Sequence, residues 1–148
     1  MKKSVSIILF LSLTLICSAK GRLRDYGICP GIFKTGEYNA ITDVKGVKVG
    51  QVTIIEGKDI RTGVTAIIPH EGSIFKHKCP AAVFIGNGYG KMAGYPQVKE
   101  LGNIETPIVL TNTLSVPQAI EALITYTISE NKNANITSVN SFVGETND

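Results

Sequence analysis

Pro107-Ile108-Val109-Leu110, then Thr111-Asn112-Thr113-Leu114, then Ser115-Val116-Pro117-Gln118-Ala119-Ile120: a short apolar run passes through a polar turn directly into a helix start. A continuously apolar run of this length reads as a strand covered on both faces. Ser115 with Gln118 three positions on fits a capping box, and Pro117 sits in the first turn, where its missing N–H costs nothing. Ala119, Ile120, Leu123, Ile124 and Ile128 form one apolar stripe, so the helix is predicted to run to about Glu130, where Asn131-Lys132-Asn133 ends it.

Working outward, Tyr95 to Leu101 reads as a shorter helix stopped by Gly102, Ala81 to Ile85 as a second buried strand, and Ile136 to Val143 as a strand leading into Glu145. Upstream, Val47 to Ile55 and Thr62 to Pro69 are β-rich runs joined by the turn Glu56-Gly57-Lys58-Asp59, and together they predict a hairpin. Arg22 to Glu37, rich in Gly and Pro, reads as an irregular arm. Strands with helices between them, and no internal repeat, make the class α/β (α+β).

The chain has 148 residues, 43% of them hydrophobic, enough for one modest domain that would bury about 70% of its unfolded surface. Part of the length is not fold. Met1-Lys2-Lys3 is a positive start, Val5 to Ile16 is uncharged and apolar apart from Ser6, Ser12 and Thr14, and Cys17-Ser18-Ala19 offers small residues before Lys20. That order predicts a secretory signal peptide over residues 1–19, too short in its apolar part for a stable membrane span, and leaves 20–148 as the domain. Ile16 is bulky where a lipoprotein site would place a small residue before its cysteine. Cleavage removes Lys2 and Lys3 and no acid, so 15 basic and 12 acidic residues become 13 and 12, and the formal charge falls from +3 to +1. No basic surface strong enough for nucleic acid remains. Cys29 and Cys79 survive, either as one disulfide of a secreted chain or as two separate buried thiols.

Three loop segments follow apolar runs, where such scaffolds carry their chemistry: Gly86-Asn87-Gly88-Tyr89-Gly90, Thr111 to Val116, and Gly144-Glu145-Thr146-Asn147-Asp148. The first is no phosphate cradle. Its third glycine is misplaced for a dinucleotide fingerprint, and Met92 follows Lys91 where a P-loop needs a hydroxyl. Its glycines serve a tight turn or close backbone approach to a substrate. His70, His77 and Cys79 lack a fourth ligand at usable spacing for zinc, so neither metal nor other cofactor is expected. Ser115 is accounted for as a cap, and no residue here forms a convincing nucleophile with its base.

Asn39 to Gly50, Arg61 to Pro69, Gly86-Asn87-Gly88, Thr111-Asn112-Thr113 and Gly144 to Asp148 together resemble, in this order and spacing, one family of self-processing peptidases, the P1 or S58 family. Its members include the L-aminopeptidase/D-amidase/D-esterase enzymes and the β-peptidyl aminopeptidases. The resemblance implies a four-layer αββα sandwich related to the N-terminal-nucleophile hydrolases, of which this chain would hold only part. It further implies a precursor that cuts itself before a serine into α and β chains that stay together and oligomerise.

By the same resemblance the nucleophilic serine lies beyond Asp148, and the chain corresponds to the N-terminal part of the α chain, needing its β part. Glu145 matches the glutamate that faces the substrate's free α-amino group. Asn147 stands where some members have a tyrosine, and its amide could support an oxyanion. Asn87, Gly88 and Asn112 are expected to brace loops. The implied function is a secreted or periplasmic serine aminopeptidase releasing N-terminal residues from small peptides, amides or esters. Two alternatives stand beside it: a truncated, non-catalytic paralogue, and a self-processing acyltransferase of the ornithine acetyltransferase type, which the signal peptide argues against.

Overall fold

A computed structural model of the chain describes residues 21–146. The signal-peptide reading of residues 1–19 and the role expected of Asn147 fall outside the described residues. The described residues 21–34 belong to a unit of their own, an irregular arm with a 3-10 turn at Leu23–Tyr26.

From Thr35 onward run β1 (Lys48–Glu56), β2 (Ile60–Ile68), β3 (Cys79–Pro80), β4 (Met92–Ala93), α1 (Tyr95–Leu101), β5 (Asn103–Ile104), β6 (Ile108–Thr111), α2 (Val116–Glu130) and β7 (Phe142–Glu145). The hairpin forms as expected, Lys48 opposite Ile68 through Glu56 opposite Ile60. One sheet takes the order β1-β2-β6-β7-β4, and β3 pairs with β5 in a second, two-stranded one. All pairings are antiparallel except β6 with β7. A parallel pair needs a long crossover, which α2 supplies. The class is therefore α+β, a mixed sheet with two helices.

Opposed residues share a face, so Gly50, Ala66, Val109, Val143 and Ala93 form one row across all five strands. On this row α2 lays Val116 and Leu123, closing a core with Val109 and Val143, against which Ala66, Ala93, Ala119 and Ile120 pack. Val143 has no exposed surface. Among the described residues no helix is long and apolar enough to cross a membrane.

Helix α1 spans Tyr95–Leu101 and stops at Gly102, whose φ of 66° is the left-handed turn that a glycine adopts without a Cβ clash. Other expectations need correction. Ala81 to Ile85 is not a strand: the place beside β7 is taken by Met92–Ala93, and Phe84 is 92% exposed. A run of apolar residues announces burial but does not supply a partner. The last strand is Phe142–Glu145, not Ile136 to Val143. Ahead of it and at its first residue, backbone donors go to side chains: Asn140 N–H to Glu105 Oε1 at 2.7 Å and Phe142 N–H to Thr106 Oγ1 at 3.0 Å. The Ser115–Gln118 capping box does not form. Ser115 has helical angles and makes no side-chain cap, while Asn112 Oδ1 accepts Ser115 N–H at 3.0 Å and caps the 3-10 turn Thr113–Ser115 that leads into α2. Ile128 is half exposed, and Thr127 takes the buried position instead. Among the described residues Cys29 and Cys79 are both free, Cys29 exposed rather than buried and Cys79 half-buried.

Candidate functional site

One step along the sheet from the core row lies a second row on the same face: Val52, Val64, Thr111, Glu145. It ends at Glu145, the last residue of β7, beside the end of β6. Both parallel strands thus deliver their C-terminal ends to one edge, where the polar turn into α2 begins, the crevice in which open α/β sheets bind ligands. Beyond β4 the pairing with β7 extends by one bond, Glu145 N–H to Lys91 O at 3.0 Å. Thr146 continues past the strand, its N–H reaching Thr111 O at 2.7 Å.

The Glu145 side chain is only 9% exposed, and each oxygen is partnered. Oε1 accepts from Thr113 Oγ1 at 2.8 Å; Oε2 accepts from Lys91 N–H at 2.8 Å and from the Lys91 ammonium at 3.3 Å. The hydrogen bond from Thr113, followed by the one from the Lys91 backbone, holds this carboxyl below the usual carboxylate range, against a smaller opposing push from burial. A carboxylate so held is a poor general base and a good fixed anion. Its natural counterpart is a cation with several N–H donors.

Around it opens a cleft of about 520 Å³ lined by Asn87, Tyr89, Gly90, Lys91, Thr113 and Glu145. Asn87 Oδ1 accepts Tyr89 N–H at 2.9 Å, a local side-chain turn that shapes the loop. Gly88 sits in the same loop with open space around it. Asn112 ties the turn below the cleft to β2, Nδ2 donating to Thr62 Oγ1 at 2.8 Å. The structure thus brings Glu145 and Asn87 to one cleft and places Asn112 beneath its wall. Lys91 and Thr113 are the residues that sequence reasoning missed. In the sequence Lys91 reads only as a candidate phosphate ligand and Thr113 only as part of a polar turn; the available signal is their place in two loops that border the strand carrying Glu145.

A second cavity, of about 320 Å³, lies between the loop after β2 and the end of α2. Several of its polar groups already have partners. Ser73 Oγ donates to Asn131 Oδ1 at 2.7 Å, Glu105 is paired with Lys78, and both ring nitrogens of His70 lie 2.8 Å from the carbonyl oxygens of Glu71 and His77.

The family model described as Peptidase family S58 matches residues 39–148. The chain is similar to the β-peptidyl aminopeptidase BapA of Sphingosinicella microcystinivorans, 37% identical over an alignment of 131 residues that covers 82% of this chain and 33% of that protein. It is also similar to two solved structures. One is a protein of Pyrococcus horikoshii OT3, with 51% identity and a TM-score of 0.79 over 86% of this chain and 39% of that one. The other is the L-aminopeptidase D-Ala-esterase/amidase of Ochrobactrum anthropi, described as a prototype of serine aminopeptidases with a variant Ntn-hydrolase fold. It shows 36% identity and a TM-score of 0.72 over 85% of this chain and 38% of that one. The chain spans about a third of the length of the curated relatives it matches.

Proposed function

The chain belongs to peptidase family S58, and from that premise we propose that it supplies the amine-recognising side of a self-processing serine aminopeptidase. The observation that carries this reading is Glu145, an ionised carboxylate with both oxygens hydrogen-bonded, fixed at the wall of an open cleft. An aminopeptidase must select a free N-terminal ammonium over a blocked one, and a rigid anion at a fixed distance from the scissile bond does so. Thr113 and the Lys91 backbone prevent the carboxylate from turning away. The nucleophilic serine would come from the part of the family's length that this chain does not span. Freed as a new N-terminus by self-cleavage, its hydroxyl would attack the carbonyl next to the first residue, and water would then resolve the acyl-enzyme. Asn147, two residues after Glu145, would lend its amide to the oxyanion. Substrates would be small peptides, amides or esters with a free amine, and the processed enzyme would be a homo-oligomer. Residues 1–19 would direct it to the periplasm or outside the cell.

The test is to co-express this chain with the coding region that follows it and measure p-nitroaniline release from aminoacyl anilides. Glu145→Gln keeps the shape and removes the charge. It is expected to raise KM on the order of 30-fold or more while leaving N-blocked substrates as poor as before. Unchanged kcat/KM in that variant would refute the assignment.

A further inference from the structure

Three donors meet on Glu145, and they are not equivalent. Thr113 belongs to the 3-10 turn that Asn112 caps, so its hydroxyl stays with that turn. The Lys91 N–H belongs to the extended β4–β7 pairing and stays with the sheet. The third donor is the Lys91 ammonium, on a flexible four-carbon stem, 54% exposed, and at 3.3 Å the longest of the three contacts. Of the three donors it is therefore the one that leaves most easily. It is also, chemically, a primary ammonium on the carboxylate that the reading above gives to a substrate's primary ammonium.

We propose that Lys91 is a built-in stand-in for the substrate's amine: its ammonium occupies Oε2 of Glu145 in the empty protein and is displaced into solvent when an N-terminal ammonium binds. This rests on Glu145 being the amine acceptor. Oε2 accepts both Lys91 donors and Oε1 accepts only Thr113, which leaves about one acceptor direction on the carboxylate; an ammonium arriving there stands within a few ångströms of the Lys91 charge. Two cations on one carboxylate would repel. The exchange keeps Glu145 neutralised when empty and makes entry a swap of one cation for another. A ligand without a charged amine has nothing to offer in that swap, so Lys91 sharpens discrimination against blocked N-termini as well as weakening binding.

The experiment is an NMR titration of the full chain with L-alaninamide, with N-acetyl-L-alaninamide as the neutral control, following the side-chain ammonium resonance of Lys91. The wild-type resonance is expected to lose its hydrogen-bonded character as L-alaninamide binds and to ignore the acetylated compound. Lys91→Met, which retains the backbone bond, is expected to bind L-alaninamide about two- to five-fold more tightly, the range of a partly exposed ion pair, and the gain should shrink at high salt. Lys91→Gln repeats the measurement should Met pack differently. If both variants bind equally or more weakly while Glu145→Gln abolishes binding, Lys91 merely orients Glu145 and this proposal falls alone. If Glu145→Gln binds as well as wild type, the amine-acceptor reading falls with it.

Discussion

Replacing Glu105 by Gln tests how the floor of the fold is held. Glu105 follows β5, is 6% exposed, and joins segments distant in sequence: Oε1 accepts Asn140 N–H at 2.7 Å, and Oε2 pairs with the Lys78 ammonium. Burial pushes its carboxyl up, but the hydrogen bonds from Lys78 and the Asn140 backbone, with the Lys78 charge, outweigh that and leave it below its ordinary value of 4.5. Gln still accepts from Asn140 but loses the ion pair. A hydrogen bond to a charged group contributes about 1.5–3 kcal/mol. Lys78 is 41% exposed and recovers water when its partner goes, so the discounted cost is about 1–2 kcal/mol. Glu105→Ala also orphans the Asn140 N–H, for about 2–4 kcal/mol in all. The depressed folded-state pKa sets the sign of the pH effect: the contribution is whole above the unfolded value near 4.5 and fades as pH falls through the folded value. Urea unfolding followed by circular dichroism from pH 7 to pH 3 should therefore show a constant Glu105→Gln deficit above about pH 5 that closes in acid. A variant as stable as wild type at pH 7, or a deficit undiminished at pH 3, would refute the reasoning.

Gly94, between β4 and α1, has φ of 78°, and a Cβ there would lie 2.7 Å from Ser141 O and 3.1 Å from the Phe142 ring. Gly94→Ala combines left-handed strain with a clash against backbone and should lose about 2–4 kcal/mol in the same unfolding assay; a loss below about 0.5 kcal/mol would mean the backbone there yields freely. For secretion, N-terminal sequencing of the mature protein is expected to begin at Lys20. A mature chain retaining residues 1–19 would remove the basis for a periplasmic or extracellular setting.

Local signals in this sequence were strong where one short segment decides its own structure. Helix α1 was legible to the residue because Gly102 terminates it whatever packs around it, and the β1–β2 hairpin because alternation and a glycine turn act within a few residues. The helix after Thr111 was also visible, but not its cap: Ser115 and Asn112 both offer an oxygen at the right distance in sequence, and only the backbone angles at Ser115 decide that Asn112 is used. The site divided similarly. Glu145 was found through a resemblance carried by several blocks in register, whereas Thr113 and Lys91 are ordinary residues in their own segments.

By itself, then, the sequence determined the helices and the hairpin, because turn chemistry and hydrophobic periodicity act over a few residues, and its five blocks in register carried the family; between α/β and α+β the observed sheet decided. Only the tertiary structure decided the order β1-β2-β6-β7-β4, the short edge strand at Met92–Ala93 in place of Ala81 to Ile85, and the late start of β7. Each depends on a partner tens of residues away. The meeting of Lys91, Thr113 and Glu145 is of this kind: 54 and 32 residues separate the first two from the third. A parallel strand pair and one extra rung of an antiparallel pair bring them together, and neither is written in the residues themselves.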